Sequence, residues 1–245
     1  MTDRWLILGA SSPVARAFAR SVATEGAEVL LAGRDVSDLA ASAGDARLHG
    51  SPHVEVVEWN AAEPESCDRL VAAALGRPGP LYVLVAAAVM PDQSALDLNP
   101  DEIDRMIATN ISGPIRVVQG VVPRLEHERS GAVVILGSVA GDRGRRKNYL
   151  YGSTKAALAV YASGLRARLF PSRVSVTLIK PGFMDTGMTW GMPGLFLVAS
   201  PEEAAHGILA ASRKGRGSVY LPGFWLWIML VIRHLPDAIM KRLNI

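Results

Sequence analysis

Trp5-Leu-Ile-Leu8-Gly9-Ala-Ser11-Ser12-Pro13-Val14-Ala15, followed by Arg16-Ala-Phe-Ala-Arg20-Ser-Val-Ala-Thr-Glu25, is the stretch whose reading decides the fold. Four apolar residues make a short strand, Gly9 permits a tight turn, and the second run carries a helical pattern. Proline is favoured at the first helical position, so Pro13 opens the helix and Ser11 or Ser12 caps it. Strand, turn and helix N-terminus together aim backbone N–H groups at one point, a site for a pyrophosphate.

Working outward, further β-rich runs alternate with helical stretches: Glu28-Val-Leu-Leu-Ala32, Leu81-Tyr-Val-Leu-Val85, Ala132-Val-Val-Ile-Leu136 and Arg173-Val-Ser-Val-Thr-Leu-Ile179. That alternation predicts βαβ units, a parallel sheet and an α/β fold. A chain of 245 residues fits a single domain, 1–245, with a sizeable core. Pro78-Gly79-Pro80 and Arg143-Gly-Arg145-Arg146-Lys147 read as loops, and no linker or repeat divides the chain. The one cysteine, Cys67, excludes an internal disulfide and fits a reducing compartment. With Asp3 near a start too short in apolar residues for a signal peptide, a cytoplasmic location is the expectation. The formal net charge of +3 is too small and dispersed to point to nucleic acid. No metal site is assigned.

The chemistry is carried by Ser138 at a strand end and by Tyr151 and Lys155, four apart in a segment of helix formers, Tyr149-Leu-Tyr151-Gly-Ser-Thr-Lys155-Ala-Ala-Leu-Ala-Val-Tyr161. A free phenol, with a pKa near ~10, rarely deprotonates at neutral pH. An ammonium one helical turn away favours the phenolate by roughly 3–4 kcal/mol at an effective dielectric of ~20, enough to bring Tyr151 toward working pH. Ser138 would hold a reacting oxygen while the tyrosine exchanges the proton. Such a device suits carbonyl and alcohol redox chemistry, with hydride from a bound cofactor.

With these residues in view, nearly the whole chain resembles the short-chain dehydrogenase/reductase family, whose fingerprint is Gly-x-x-x-Gly-x-Gly, a later Ser, then Tyr-x-x-x-Lys. The resemblance implies a Rossmann-type doubly wound parallel sheet of seven strands flanked by helices, in the order 3-2-1-4-5-6-7. It implies a nucleotide held by Gly9, Ser11, Ser12, Pro13 and Val14, with Tyr151 and Lys155 also meeting the nicotinamide ribose. In Pro181-Gly182-Phe-Met-Asp-Thr186 it implies a turn in which Pro181, Gly182 and Thr186 meet the carboxamide. Asn110 matches a helix asparagine that supports a water relay to Lys155, while a plain kink before Gly113-Pro114 explains the same residue. Homodimers or homotetramers are the family's common assemblies.

Departures from the fingerprint fall mostly in the nucleotide half. Pro13 and Ala15 replace the second and third glycines, Ala86-Ala87-Ala88-Val89 stands where Asn-Asn-Ala-Gly is usual, and Asn60 replaces an aspartate near the adenine. After the second strand, Gly33-Arg34 leaves room and a charge partner for a 2'-phosphate, which favours NADP(H) over NAD(H). Asp35 reads instead as the N-cap of the next helix.

Three regions bear on substrate. Gly187 to Val198 is apolar and glycine-punctuated, as a lid with Trp190 over the substrate or as a buried loop. Arg143 and its basic neighbours suit an anionic substrate or a solvated loop. Residues 219–245 form an apolar, then amphipathic, C-terminal extension, too short and proline-broken to span a bilayer. An interfacial helix giving peripheral membrane contact, a groove for a lipid chain, and a subunit interface all fit its composition. The loop before Tyr151 and this ending are similar to a subgroup of reductases acting on decaprenylphosphoryl-2-keto-ribose. The expected function is therefore NADPH-dependent interconversion of a carbonyl and a secondary alcohol. The substrate is a lipid-linked keto sugar or, alternatively, a small ketone or 3-oxoacyl group; an idle nucleotide-binding scaffold is a third class.

Overall fold

Every residue from Arg4 to Leu8 is buried, the pattern of a strand covered on two faces. Leu6 and Leu8 enter one hydrophobic core and Trp5 and Ile7 the other, as alternation along a strand requires. In the computed structural model, which describes residues 2–187 and 197–243, this strand lies at the centre of the sheet. The strands are β1 (Arg4–Leu8), β2 (Glu28–Gly33), β3 (Val54–Glu58), β4 (Leu81–Val85), β5 (Ala132–Leu136), β6 (Ser175–Pro181) and β7 (Ser218–Leu221). All pair in parallel, in the order β3-β2-β1-β4-β5-β6-β7.

Helices α1 (Pro13–Thr24), α2 (Val36–Leu48) and α8 (Pro201–Arg213) cover the face carrying Trp5 and Ile7. Helices α3 (Pro64–Leu75), α6 (Gly113–Glu128) and α7 (Tyr149–Leu169) cover the other. Between β4 and α6 run α4 (Gln93–Leu98), α5 (Pro100–Ile107) and a single π-helical turn, Ala108–Ser112. Leu8 pairs with both Ala32 and Val85, so the chain order reverses at β1 and a crevice opens beyond the strand ends.

The turn after β1 forms as its residues dictate. Ser12 Oγ accepts from Ala15 N at 3.2 Å, and Pro13 occupies the first helical position. Gly9 has φ +77°, and a Cβ there would lie 2.6 Å from Ala87 Cα, so this turn and the one after β4 pass in backbone contact. Asp35 caps α2, its side chain accepting from Asp38 N.

One strand is shifted from its expected place and two were not located in the sequence. β6 starts at Ser175 because Arg173 takes a left-handed φ of 59° at the end of a turn. The edge strand β3, only partly buried, carries two glutamates that break its apolar run. Ser218–Leu221 pairs with β6, so the first residues of the segment read as a C-terminal extension belong to the sheet. An unbroken apolar run does not distinguish strand from helix. Beyond it lie α9 (Trp225–His234) and α10 (Asp237–Met240). Among the described residues, no helix is long and apolar enough to cross a membrane.

Candidate active site

β5 delivers Ser138 to the crevice. Gly137 N donates to Ile179 O at 2.8 Å, and Ser138 then caps a 3-10 turn, Val139–Gly141, with Oγ accepting from Ala140 N at 3.0 Å. Helix α7 presses directly on that turn. A Cβ at Gly152 would stand 2.7 Å from Ala140 O, and one at Gly141 2.8 Å from the Lys155 carbonyl carbon. Only hydrogen at both positions lets the two backbones meet, and this contact brings Ser138 to Tyr151. The Ser138 side chain hydrogen-bonds the phenol oxygen of Tyr151.

Tyr151 and Lys155 are 6% and 3% exposed. The Lys155 ammonium lies 5.6 Å from the centroid of the Tyr151 ring and donates to Leu136 O at 2.9 Å. The expected acidification of the phenol is not what this arrangement produces. Burial pushes Tyr151 up to about 12, with the Ser138 hydrogen bond pulling weakly the other way. Burial likewise pulls Lys155 down to about 8. Desolvation leads at both groups, and Nζ is tied to Leu136 O beside the ring. Tyr151 is thus firmly protonated at neutral pH, the form a proton donor needs.

Asn110 sits in the π turn, fully buried. Its Oδ1 accepts from Val89 N at 2.8 Å, and Nδ2 donates to Val89 O at 2.9 Å and to Thr154 Oγ1 at 3.1 Å. Both amide protons are used, so the side chain braces the loop after β4 against α7. π turns recur at functional sites.

The other half of the crevice is lined by Gly9, Ser11, Ser12, Arg34, Asn60 and Ala86. It joins the Ser138–Tyr151–Lys155 cavity through Ser12, Ala86 and Ala88, and that cavity also takes in Pro13, Val14, Pro181, Gly182 and Thr186. Arg16 is held by Asp38 at 2.5 Å, whereas Arg34 is exposed and has no ion pair among the described residues. Asn60 is turned to local partners, Nδ2 donating to Glu63 and Oδ1 accepting from Ala62 N. A capped helix N-terminus, a glycine turn that admits only backbone and an unpaired arginine at the far end fit a dinucleotide laid along the crevice.

The expected substrate residues fare differently. Arg143 lies outside this cavity: it bonds Leu235 O at 3.1 Å and pairs with Asp237, fastening α10. Backbone spacing alone does not say which arginine of a basic loop turns inward. Arg145 and Asn148 do so, lining the cavity with Tyr151. Burial lowers the Arg145 pKa, with Asp142 opposing. Trp190 and most of the expected lid lie outside the described residues.

The C-terminal segment backs the cavity lining, a contact the sequence reading missed. Trp225 and Met229 of α9 bury against Val139, and the Trp225 indole lies on Gly182. Asp142, nearly buried, accepts from Lys180 Nζ at 2.5 Å and from Tyr220 Oη at 2.6 Å, locking the loop after Ser138 to β6 and β7. Its neighbours drive the Tyr220 phenol up to about 12, burial first and Asp142 second. The i, i+4 spacing of Trp225 and Met229 was the available signal, masked by the apolar residues around it.

The profile of the family described as short chain dehydrogenase matches residues 4–193. An uncharacterized oxidoreductase of Streptomyces coelicolor is 30% identical over 240 residues, covering 97% of this chain and 94% of that protein. An uncharacterized oxidoreductase of Mycobacterium tuberculosis H37Rv is 30% identical over 239 residues, covering 97% and 96%. A solved structure of a short chain dehydrogenase/reductase family protein is 27% identical, with a TM-score of 0.80 over 89% of this chain and 94% of its own. Profile, relatives, sheet order and the Ser138–Tyr151–Lys155 cluster agree: the chain belongs to the short-chain dehydrogenase/reductase family and is an NAD(P)-dependent oxidoreductase.

Proposed function

We propose that the protein reduces a ketone to a secondary alcohol with NADPH. The observation that carries this reading is the buried phenol of Tyr151, hydrogen-bonded to Ser138 and facing a cavity continuous with the capped turn. NADPH, when bound, would supply hydride for the carbonyl carbon. Tyr151 Oη gives its proton to the carbonyl oxygen, so one hydride and one proton convert C=O to CH–OH. Ser138, its Oγ steadied by Ala140 N, orients that oxygen. Lys155 would hold the nicotinamide ribose, Thr186 the carboxamide, and Asn110 in its π turn would keep the route of proton resupply open. Arg34, free of carboxylates, would receive the 2'-phosphate.

Titrating the protein with NADPH and NADH, then screening ketones with and without isoprenoid tails, tests cofactor and substrate class together. NADPH oxidation by a ketone, absent in Tyr151→Phe, is the expected result; turnover retained by that variant sinks the reading.

One observation favours a lipid-bearing substrate such as a lipid-linked keto sugar over a small ketone or 3-oxoacyl group. The outer face of α9 exposes Trp227 (68%) and Val231 (63%), with Arg233 in its last turn, directly behind the cavity wall. Peripheral membrane contact through this face predicts pelleting with anionic vesicles. Val160, exposed on α7, suits a homodimer or homotetramer, which light scattering measures.

A further inference from the structure

We propose that Arg145 and Asn148 form a substrate-positioning site for a phosphate or carboxylate carried by the carbonyl substrate. This rests on the preceding reading only in taking the cavity as the carbonyl pocket. Four basic residues stand between 143 and 147, and three are accounted for: Arg143 pairs with Asp237, while Arg146 and Lys147 are exposed. Arg145 alone turns into the cavity beside Tyr151. Its Nε is buried without a partner among the described residues. Its Nη2 reaches only Val139 O at 3.4 Å and Met229 Sδ at 3.3 Å, two long contacts to neutral acceptors. The nearest acid in its loop, Asp142, is committed to Lys180 and Tyr220.

A largely buried guanidinium with no carboxylate in direct contact among the described residues is costly, because the charge is desolvated and its fork of donors is unmatched. An oxyanion of the substrate would match that fork in two bonds. Asn148 lines the same cavity with Oδ1 buried and unpartnered among the described residues, an acceptor suited to a hydroxyl. Arg145 and Asn148 do not line the Arg34 end of the crevice, so the pair is placed for substrate rather than for the nucleotide's phosphates. The class of substrate that satisfies both is a hydroxylated ketone bearing an anionic group.

The test is calorimetric binding to the protein saturated with NADP+, using two matched pairs. One pair is dihydroxyacetone and dihydroxyacetone phosphate; the other is 2-pentanone and 4-oxopentanoate. At least one anionic member should bind about 10-fold tighter than its neutral partner, as expected for a charge-assisted bond. The pair that shows the preference identifies the anion. Arg145→Leu should bring that pair within about twofold, Arg145→Lys should keep part of the preference, and Asn148→Ala should weaken the dihydroxyacetone pair alone. A thermal melt matching wild type shows that each variant folds. Equal binding within both pairs, binding of neither anion, or a preference surviving in Arg145→Leu overturns the proposal. Failure of the reductase reading would look different: no NADPH oxidation with any ketone while the binding difference persists.

Discussion

The two ends of the crevice are built on different principles. The nucleotide end is mostly backbone: a glycine turn in contact with Ala87, a helix N-terminus capped by Ser12, and an alanine run held by Leu8 O and Asn110. The reacting end is made of side chains, Ser138, Tyr151, Lys155 and Arg145, with Tyr151 and Lys155 buried. Backbone recognition tolerates changes of residue, which is why Pro13, Ala15 and Ala86 can stand where the fingerprint has other residues. Side-chain chemistry in a dry site does not.

That contrast is sharpest at Tyr151. Replacing it with Phe should lower kcat by about 10²–10⁴-fold while nucleotide affinity, measured by fluorescence titration, stays within about threefold. A parallel loss of affinity would erase the division between the ends. Next in size is Gly152→Val, which drives a side chain at Ala140 O and separates Ser138 from Tyr151. Turnover should drop by about 10²-fold, with about 1–3 kcal/mol lost from stability by chemical denaturation.

pH separates the ends in another way. For reduction, kcat/KM should hold steady below about 8 and fall above it as Lys155 loses its proton. Stability moves oppositely. The folded pKa of Lys155 lies below its usual 10.5, so between about 8 and 10.5 the unfolded chain binds the extra proton and stability rises with pH. Tyr151, raised from 10.0 to about 12, reverses the trend above 10. In Lys155→Met the rise in denaturation free energy from pH 8 to 10 should flatten; an unchanged slope would show that Lys155 is not the source.

At the nucleotide end, Arg34→Ala should cut the preference for NADPH over NADH by about 10-fold with kcat nearly unchanged, the scale of one exposed charge-assisted bond. Smallest of all, Trp227→Ser should alter stability by less than about 0.5 kcal/mol. It should nonetheless weaken pelleting with anionic vesicles if α9 meets lipid.

Legibility followed the same division. The strand–turn–helix of residues 5–25, the Asp35 cap and the Ser138, Tyr151 and Lys155 cluster were readable because each depends on neighbours in sequence. Seven strands in the expected order followed from the family resemblance. What escaped depends on distant packing. Lys155 bonds Leu136 O rather than acidifying the phenol, Arg145 rather than Arg143 turns inward, and β7 hides in an apolar tail. Burial, which decided the phenol's pKa, has no signature in the spacing of Tyr and Lys.

Trp225 and Met229 back the pocket through Val139 and Gly182, from a helix that lies outside the sheet. Changes of residue in this last segment would therefore reshape the backing of the reacting end without touching the glycine turn at the nucleotide end.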